Sequence, residues 1–314
     1  MRTDSCIPKL IFSFLLCTLL SAVAIADSIP RKNTSHLYDL KAEQQPVQKP
    51  GLLLPSDVAV NGRFVYVVDG GNHRVVKFDL KGDYVDSFGR QGKGPSEFMY
   101  PVGIDVASNG WIYIADSGNK RIQVFDSKGK YIRQFKVKSG RYLIRPVDVL
   151  VDEKSKELYV TGNETHEVMV FSLKGKLKRK WGGNGISEGE FRYPATLAHL
   201  KDGRIAVVDV LNSRVQVFNA NGKYSTQISA WGVTAGQVFR PKGIAVNKKG
   251  NVFISDSYLN LVQVFEDTGE LLHVLKMNKN HELYTPVGMS FDKDDRLYIT
   301  EMRNNRISVF DVTP

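Results

Sequence analysis

One apolar motif recurs through this chain at a nearly constant interval. Each copy is a short run of mostly aliphatic residues that ends in phenylalanine, at Phe78, Phe125, Phe171, Phe218, Phe265 and Phe310. The spacings are 47, 46, 47, 47 and 45 residues. A second landmark keeps the same interval about two dozen residues earlier, at Pro55, Pro101, Pro146, Pro194, Pro241 and Pro286. Two landmarks in register indicate that the chain consists of six copies of one structural unit.

Each unit contains four strand signals. In the second copy these are residues 103–106, 111–115, 121–125 and 130–135, which are rich in β-branched and aromatic residues and separated by turns of Gly, Asn and Asp. This pattern predicts an all-β meander. Four antiparallel strands in about 45 residues are typical of one blade of a β-propeller. The sequence therefore predicts a six-bladed β-propeller of four-stranded antiparallel blades.

The sixth copy lacks its fourth strand, because only residues 311–314 follow Phe310. Residues 36–40, upstream of the first copy, alternate in the same way as the outer strand at residues 84–88. We therefore expect a strand at about residues 36–42, within an N-terminal segment of residues 27–50, to complete blade 6 and close the ring. The six repeats then occupy residues 51–314.

The first residues have the composition of a targeting segment. A charged start is followed by an apolar run over residues 10–23 and by Ala-Ile-Ala at residues 24–26. This arrangement predicts a cleaved secretory signal over residues 1–26, and the run is short for a membrane span. The alternative is an uncleaved anchor. Both cysteines, Cys6 and Cys17, lie in this segment, so the mature chain would hold no disulfide and no thiolate metal site. We expect export to the periplasm, the cell surface or the medium, with no membrane span after cleavage.

The chain is basic, with a formal net charge of +10. The densest basic run, residues 174–180, falls on a predicted hairpin turn and outer strand. Lysine on an outer strand commonly protects the sheet edge from pairing with other chains. Nucleic-acid binding needs a clustered patch rather than a net charge. We therefore interpret this run as solvated surface and do not expect a nucleic-acid partner.

A finer pattern lies inside the units: Asp at the end of the second strand, Asn three residues later, Arg two residues after that, and then an apolar run ending in Phe. It is clearest at Asp69, Asn72 and Arg74, at Asp116, Asn119 and Arg121, and at Asp209, Asn212 and Arg214. The pattern resembles the NHL repeat over nearly the whole mature chain. The resemblance implies a six-bladed propeller of the exported bacterial type. We expect these Asp and Arg residues to be structural, because a carboxylate accepts loop N–H groups while Arg pairs with it.

Two copies depart from this pattern. The third has Gly162 and Glu167 in place of Asp and Arg, and the fifth has Leu259 and Leu261 in place of Asn and Arg. Since uniform positions build a propeller, functional residues are expected where the copies differ.

The top face of the propeller carries the loops between second and third strands and the connections that enter the first strands. The residues directly before the six prolines lie there: Leu54, Tyr100, Arg145, Tyr193, Arg240 and Thr285. Arginine binds anions through two parallel hydrogen bonds, and aromatic rings stack on ligands. The candidate ligand-binding residues are Tyr100, Arg145, Tyr193, Arg240, Lys242, His73 and His166. The alternative is that the two tyrosines only pack against neighbouring blades.

Two acidic residues, Asp57 and Asp148, stand at the start of first strands and are expected to face the channel from alternate blades. Carboxylates bind hard cations, so these two residues are candidate ligands of a Ca²⁺ site. They can equally accept hydrogen bonds from the channel backbone. The six histidines are not expected to converge, which argues against a zinc site. We predict no other cofactor.

These observations favour a non-catalytic, monomeric binding module that presents its top face to a protein, peptide or saccharide in the cell envelope or outside the cell. Two alternatives remain open. One is a metal-dependent hydrolase or lyase, similar to the lactonase and amidating-lyase propellers that resemble the NHL-repeat family. The other is binding of single-stranded nucleic acid on the top face, for which Tyr and Arg are suited.

Overall fold

The computed structural model describes residues 30–40, 51–277 and 281–312. The predicted signal segment, residues 1–26, lies outside this range, as do residues 41 and 42 of the expected closing strand. The described residues contain no helix that is both long and apolar enough to cross a membrane. The first strands of the six blades pack side by side in a ring, from blade 1 through blade 6 and back to blade 1.

The chain begins with two N-terminal strands, β1 (Arg31–Asn33) and β2 (Ser35–Leu40). The first three blades then follow in order. Blade 1 contains β3 (Asp57–Asn61), β4 (Phe64–Asp69), β5 (Arg74–Asp79) and β6 (Tyr84–Phe88). Blade 2 contains β7 (Pro101–Val106), β8 (Ile112–Asp116), β9 (Arg121–Phe125) and β10 (Tyr131–Lys136), followed by a small hairpin of β11 (Lys138–Ser139) and β12 (Tyr142–Leu143). Blade 3 contains β13 (Pro146–Asp152), β14 (Glu157–Gly162), β15 (Glu167–Ser172) and β16 (Leu177–Gly182).

The other three blades repeat the same meander. Blade 4 contains β17 (Pro194–His199), β18 (Ile205–Asp209), β19 (Arg214–Phe218) and β20 (Tyr224–Trp231), with the short β21 (Gln237–Val238) added at its edge. Blade 5 contains β22 (Pro241–Val246), β23 (Val252–Asp256), β24 (Leu261–Phe265) and β25 (Leu271–Lys276). Blade 6 contains β26 (Pro286–Phe291), β27 (Arg296–Glu301) and β28 (Arg306–Asp311). The predicted six-bladed, all-β architecture is confirmed.

The recurring phenylalanines lie in the third strand of every blade and are buried. Their role is to join blades. Phe125 of blade 2 contacts Phe88 of blade 1, with ring centroids 4.9 Å apart, and Phe98 of the connecting loop at 5.6 Å. Such aromatic pairs add to the free energy gained by burying apolar area. The repeat is therefore the sequence signature of the packing between blades.

The ring is closed by the N-terminal strand, as predicted. Strand β2 pairs antiparallel with β28, with Leu40 opposite Ile307 and Ser35 opposite Asp311. The strand runs over residues 35–40, compared with the expected range of about 36–42. A second contact is not evident from the sequence, because β1 consists of three polar residues. Strand β1 pairs in parallel with β25, so the N-terminal segment adds first to blade 5 and then to blade 6.

Candidate functional site

The Asp and Arg residues of the repeat tie each blade to its incoming loop. In blade 2, Asp116 Oδ2 accepts a hydrogen bond from Arg121 Nε at 2.7 Å, and its Oδ1 accepts one from the Met99 N–H at 2.8 Å. Arg121 also donates to the carbonyls of Lys93, Gly94 and Glu97. The same ion pair joins Asp69 to Arg74 at 2.7 Å and Asp209 to Arg214 at 2.9 Å. We call this arrangement the loop clamp, and its function is structural.

Blade 3 holds its loops with different charges. Glu167, at the position of the clamp arginine, accepts hydrogen bonds from Lys180 Nζ at 2.5 Å and from Ser139 Oγ at 2.7 Å. Glu164 takes over the contact to the incoming loop, because its Oε2 accepts the Arg145 N–H at 2.6 Å. The departure of the third copy is thus a substitute clamp.

Blade 5 has no substitute clamp. Both carboxylate oxygens of Asp256 accept hydrogen bonds from backbone N–H groups. Its Oδ1 accepts those of Tyr258 and Leu259, each at 3.0 Å. Its Oδ2 accepts the N–H groups of Phe239 and Arg240 at 2.6 and 3.0 Å. The apolar side chains at 259 and 261 then border open space where other blades hold Asn and Arg. A groove of about 890 Å³ results, which we call the blade-5 groove; its lining includes Val233, Leu259, Leu261, Lys276, Leu283 and Tyr284.

His73 and His166 occupy a repeated left-handed position, with φ of 55° and 54°. His73 Nδ1 accepts a hydrogen bond from the Tyr100 N–H at 3.0 Å, and His166 Nδ1 accepts one from the Tyr193 N–H at 3.1 Å. At the same position in blades 5 and 6, the side-chain oxygens of Asn260 and Asn305 accept the N–H groups of Thr285 and Leu54, both at 2.8 Å. One ring nitrogen, Nδ1, of each candidate histidine is therefore engaged in linking blades. The asparagines at the matching sequence positions were a signal of this structural role.

Tyr100 and Tyr193 lie on the top face with exposed rings, 62% and 48% of each residue being accessible. Each has a left-handed backbone, and its ring meets the histidine of the preceding blade edge-on at 4.8 and 5.4 Å. Burial lowers the pKa of His166, which favours the neutral ring that can accept a hydrogen bond. The tyrosines thus contact a neighbouring blade along one edge and present the rest of the ring to solvent.

The candidate cations differ in their surroundings. Arg145 Nε lies 3.6 Å from Glu164 Oε1, an oxygen that Lys120 Nζ also approaches at 3.1 Å. Neither Arg240 nor Lys242 pairs with an acidic residue within the part of the chain that the structure describes. Burial, with a further contribution from the charge of Arg240, lowers the pKa of Lys242. Two adjacent cations on blade 5 are therefore left without a counter-charge.

An aromatic pair lies beside these cations. The guanidinium of Arg240 is 5.6 Å from the ring centroid of Phe239, which in turn contacts the Tyr258 ring at 4.7 Å. Tyr258 is mostly exposed and is followed directly by Leu259 of the blade-5 groove. Blade 5 thus combines exposed aromatic surface, uncompensated positive charge and the groove.

Asp57 and Asp148 both line a channel cavity of about 250 Å³. Each reaches to the next blade: Asp57 Oδ2 accepts the Ile104 N–H at 3.0 Å, and Asp148 Oδ2 accepts the Leu197 N–H at 2.8 Å. Burial, together with the charge of Asp148, raises the pKa of Asp57; burial raises that of Asp148 to about 7. In the described chain, no further histidine or carboxylate joins the pair to form a group of three ligands.

The expectation that the histidines do not converge is wrong for one pair. The rings of His36 and His281 stack with centroids 3.6 Å apart, beside Asp39. The sequence did not indicate this contact because the two histidines lie at opposite ends of the chain and are joined only by ring closure.

The basic run at residues 174–180 is partly neutralised. Lys178 Nζ and Arg179 Nη2 lie 2.9 and 2.6 Å from the carboxylate of Glu157, and Lys180 Nζ lies 2.5 Å from Glu167. These pairs agree with the interpretation of the run as outer-strand surface rather than a polyanion site.

Comparison with known proteins supports the fold. A family model described as DUF5128, a 6-bladed beta-propeller, matches residues 52–142 and 194–278, more than half of the chain. The protein brain tumor of Drosophila melanogaster is 29% identical over 198 residues, which are 63% of this chain and 14% of that protein. This match supports an NHL-like propeller. The chain spans only about one seventh of that relative's length.

Two solved enzyme structures share the architecture. Virginiamycin B lyase from Staphylococcus aureus superposes with a TM-score of 0.61 at 14% identity, covering 90% of this chain and 95% of that one. A gluconolactonase from Xanthomonas campestris gives a TM-score of 0.62 at 18% identity, covering 82% and 85%. At these identities the similarity concerns the fold alone.

Proposed function

Because this chain belongs to the DUF5128 family of six-bladed β-propellers, we propose that it is a non-catalytic binding module that takes a peptide segment of a protein partner on blade 5 of its top face. The observation that carries this proposal is the blade-5 groove, which exists where two leucines replace the loop clamp. A clamp residue would fill that space, as Arg121 does in blade 2.

The groove suits an apolar side chain. Leu259, Leu261 and Leu283 contribute aliphatic surface to its lining, and Val233 at its rim is 51% exposed. Full burial of a Leu or Phe side chain contributes about 1.5–3 kcal/mol to the free energy of association before ordering costs. One or two apolar residues of a peptide would therefore act as the anchor.

The charges on blade 5 select an acidic peptide. Arg240 and Lys242 have no acidic partner in the described structure, and Lys242 is disfavoured in its charged form by burial and by Arg240. A carboxylate placed between them would remove this repulsion and form charge-assisted hydrogen bonds. We therefore expect a peptide with an acidic residue close to its apolar anchor.

The protein is also proposed to act outside the cytoplasm. We propose that residues 1–26 direct export, that no membrane anchor remains, and that the monomeric mature chain meets its partner in the envelope or outside the cell. Size-exclusion chromatography with light scattering checks the monomer, and N-terminal sequencing of the exported protein checks cleavage at Ala26.

Calcium analysis and salt-dependent binding of single-stranded nucleic acid test the two alternative functions, a metal-dependent enzyme and a nucleic-acid-binding protein. Bound Ca²⁺ that is lost on Asp57→Ala/Asp148→Ala, or a steep fall in nucleic-acid affinity with salt, would favour them.

The direct test is selection of random peptides displayed on phage against the purified protein. The key variant is Leu259→Asn/Leu261→Arg, which restores the clamp sequence and places a guanidinium beside Asp256. The matched control is Leu211→Arg, which changes an exposed leucine in the equivalent loop of blade 4. We expect peptides with acidic and apolar residues whose affinity falls at least about 10-fold in the double variant and is retained in the control.

Two results would contradict the proposal. One is the absence of any enriched peptide; the other is equal binding by the double variant and the wild type. Binding of oligosaccharides that is lost on Tyr100→Ala/Tyr193→Ala would instead favour a saccharide partner, because those exposed rings lie on other blades.

A further inference from the structure

Three separate chain segments meet where the ring closes. Strand β2 contributes His36 and Asp39, the connection between blades 5 and 6 contributes His281, and β27 contributes Glu301. None of these side chains lines the blade-5 groove, although His281 directly precedes Glu282 of its lining, and the proposed peptide binding does not involve them. We call them the seam cluster.

The donor atoms of the seam cluster lie close together. Asp39 Oδ1 is 2.9 Å from His36 Nε2 and 3.4 Å from His281 Nε2. One ligand atom from each of these residues lies within 4.8 Å of the others. Glu301 Oε1 is 3.9 Å from His281 Nε2. The two rings are stacked with an inclination of 24°, and both Nε2 atoms lie near the same carboxylate oxygen.

We propose that His36, Asp39 and His281, with Glu301 as a fourth ligand, bind a zinc ion at the seam. Zinc takes imidazole nitrogen and carboxylate oxygen at about 2.0–2.2 Å in tetrahedral sites, which places neighbouring ligand atoms about 3.4 Å apart. The separations of 2.9, 3.4 and 3.9 Å bracket that value. Because a metal ion lies close to the plane of each imidazole that binds it, zinc binding also requires one of the two stacked rings to turn out of the stack.

The surroundings hold these ligands in place. Ser308 Oγ donates toward Asp39 Oδ1 at 2.9 Å and lies 2.5 Å from Glu301 Oε1. Arg306 Nη1 approaches the other Asp39 oxygen, Oδ2, at 3.4 Å, so Oδ1 faces the histidines. Partners of this kind orient metal ligands and tune their affinity.

Charge and protonation are compatible with a dication. Burial opposes ionisation of Asp39, but hydrogen bonds from His36 and Ser308 and the charge of Arg306 lower its pKa. Burial and then the charge of Arg306 lower the pKa of His281. Zinc requires neutral imidazole and ionised carboxylate. Arg306 repels a cation, and its Nε donates to Glu301 Oε1 at 2.8 Å, so zinc competes with this pair for the fourth ligand. Asp39 and Glu301 together nevertheless outweigh the single positive charge of Arg306.

A metal ion here would stabilise the ring closure, because its ligands come from the closing strand β2, from the connection that enters blade 6 and from β27 of blade 6. A ligand that binds only the folded state raises stability with its concentration. The melting temperature should therefore rise on addition of zinc, independently of any peptide on blade 5.

The test uses tag-free full-length protein that has been treated with EDTA and titrated with zinc chloride by calorimetry and thermal unfolding. We expect one zinc per chain and a melting temperature that rises with zinc. His281→Gln and Asp39→Asn should lose both effects. The matched control, His273→Gln, changes a half-buried histidine on β25 outside the cluster and should retain them. Cobalt substitution should give a tetrahedral spectrum without thiolate bands, which separates this site from Cys6 and Cys17.

Failure of the wild type to bind micromolar zinc, or equal affinity in His281→Gln, would overturn the proposal. Circular dichroism checks that each variant is folded. If His281→Gln is unfolded, Ser308→Ala replaces it, because Ser308 Oγ contacts Asp39, His281 and Glu301 without being a ligand itself. Zinc affinity should then fall about 10- to 100-fold, and an unchanged affinity would count against the site.

Discussion

His73 Nδ1 accepts a hydrogen bond from the main-chain N–H of Tyr100, 3.0 Å away in the next blade. Asn305 makes the same bond to Leu54 across the seam between blades 6 and 1. In both bonds the acceptor side chain belongs to a residue with left-handed backbone, and the N–H donor belongs to a residue that is also left-handed and precedes a proline. His73 is thus interchangeable in role with Asn, which tolerates this backbone conformation.

We predict that His73→Asn keeps the stability of the wild type, whereas His73→Ala loses about 1–2 kcal/mol. The alanine variant loses one hydrogen bond and holds a left-handed residue without a compensating side chain. Urea unfolding monitored by tryptophan fluorescence measures both variants. Equal stability of the alanine and asparagine variants would show that the bond to Tyr100 contributes nothing.

The loop clamp of blade 2 should be among the most sensitive positions in the chain. Arg121 is buried and joins Asp116 to three loop carbonyls. Arg121→Leu, which copies the residue found at 261, should cost about 3–5 kcal/mol, because it leaves a buried carboxylate without its cation. Arg90→Leu is the control, since Arg90 is exposed and its solvent-screened pair with Glu97 should contribute far less to stability. A loss at position 121 no larger than at position 90 would contradict a structural clamp.

The sequence predicted the fold because its determinants repeat. The phenylalanines at 78 and 125 and the Asp–Arg pairs at 69/74 and 116/121 recur in register, so each copy supports the assignment of the others. Strand β1 was not predicted, since its three residues carry no periodicity and only blade 5 gives them a partner.

The candidate sites were harder to predict because they arise where the repeat fails or where distant segments meet. The sequence showed that Leu259 and Leu261 break the pattern, but it did not show that Val233, between blades 4 and 5, borders the same groove. His36 and His281 have no local signal, and the seam cluster depends on closure of the whole ring.

Closure of the ring should depend on Leu40 more than on its neighbours. Leu40 is fully buried opposite Ile307, whereas Leu37 on the same strand is 43% exposed. Leu40→Ala should cost about 2–5 kcal/mol through lost burial and a cavity, and Leu37→Ala should cost less than about 1 kcal/mol. Thermal unfolding of the pair compares two leucines in one strand. Similar losses in both variants would mean that β2 is not packed as the structure shows.

The two channel carboxylates should make the protein less stable as the pH rises. Burial and mutual repulsion raise the pKa of Asp57, and burial raises that of Asp148 to about 7, whereas an unfolded aspartate titrates near 3.9. Asp105 adds to this repulsion. Between those pH values the folded chain binds more protons than the unfolded chain, so the free energy of unfolding falls as the pH increases.

Asp148→Asn should reduce this dependence, because it removes one of the two titrating carboxylates and its repulsion of Asp57, while the amide oxygen can still accept the Leu197 N–H. We expect the wild type to lose up to about 1.4 kcal/mol per pH unit for each proton released between pH 4 and 7. The variant should have a flatter profile and be more stable than the wild type at pH 8. Asp83→Asn, at an exposed turn of blade 1, is the control and should follow the wild type. Urea unfolding from pH 4 to 8 measures the profiles, and an unchanged slope in Asp148→Asn would mean that Asp148 is ionised in the folded protein without cost.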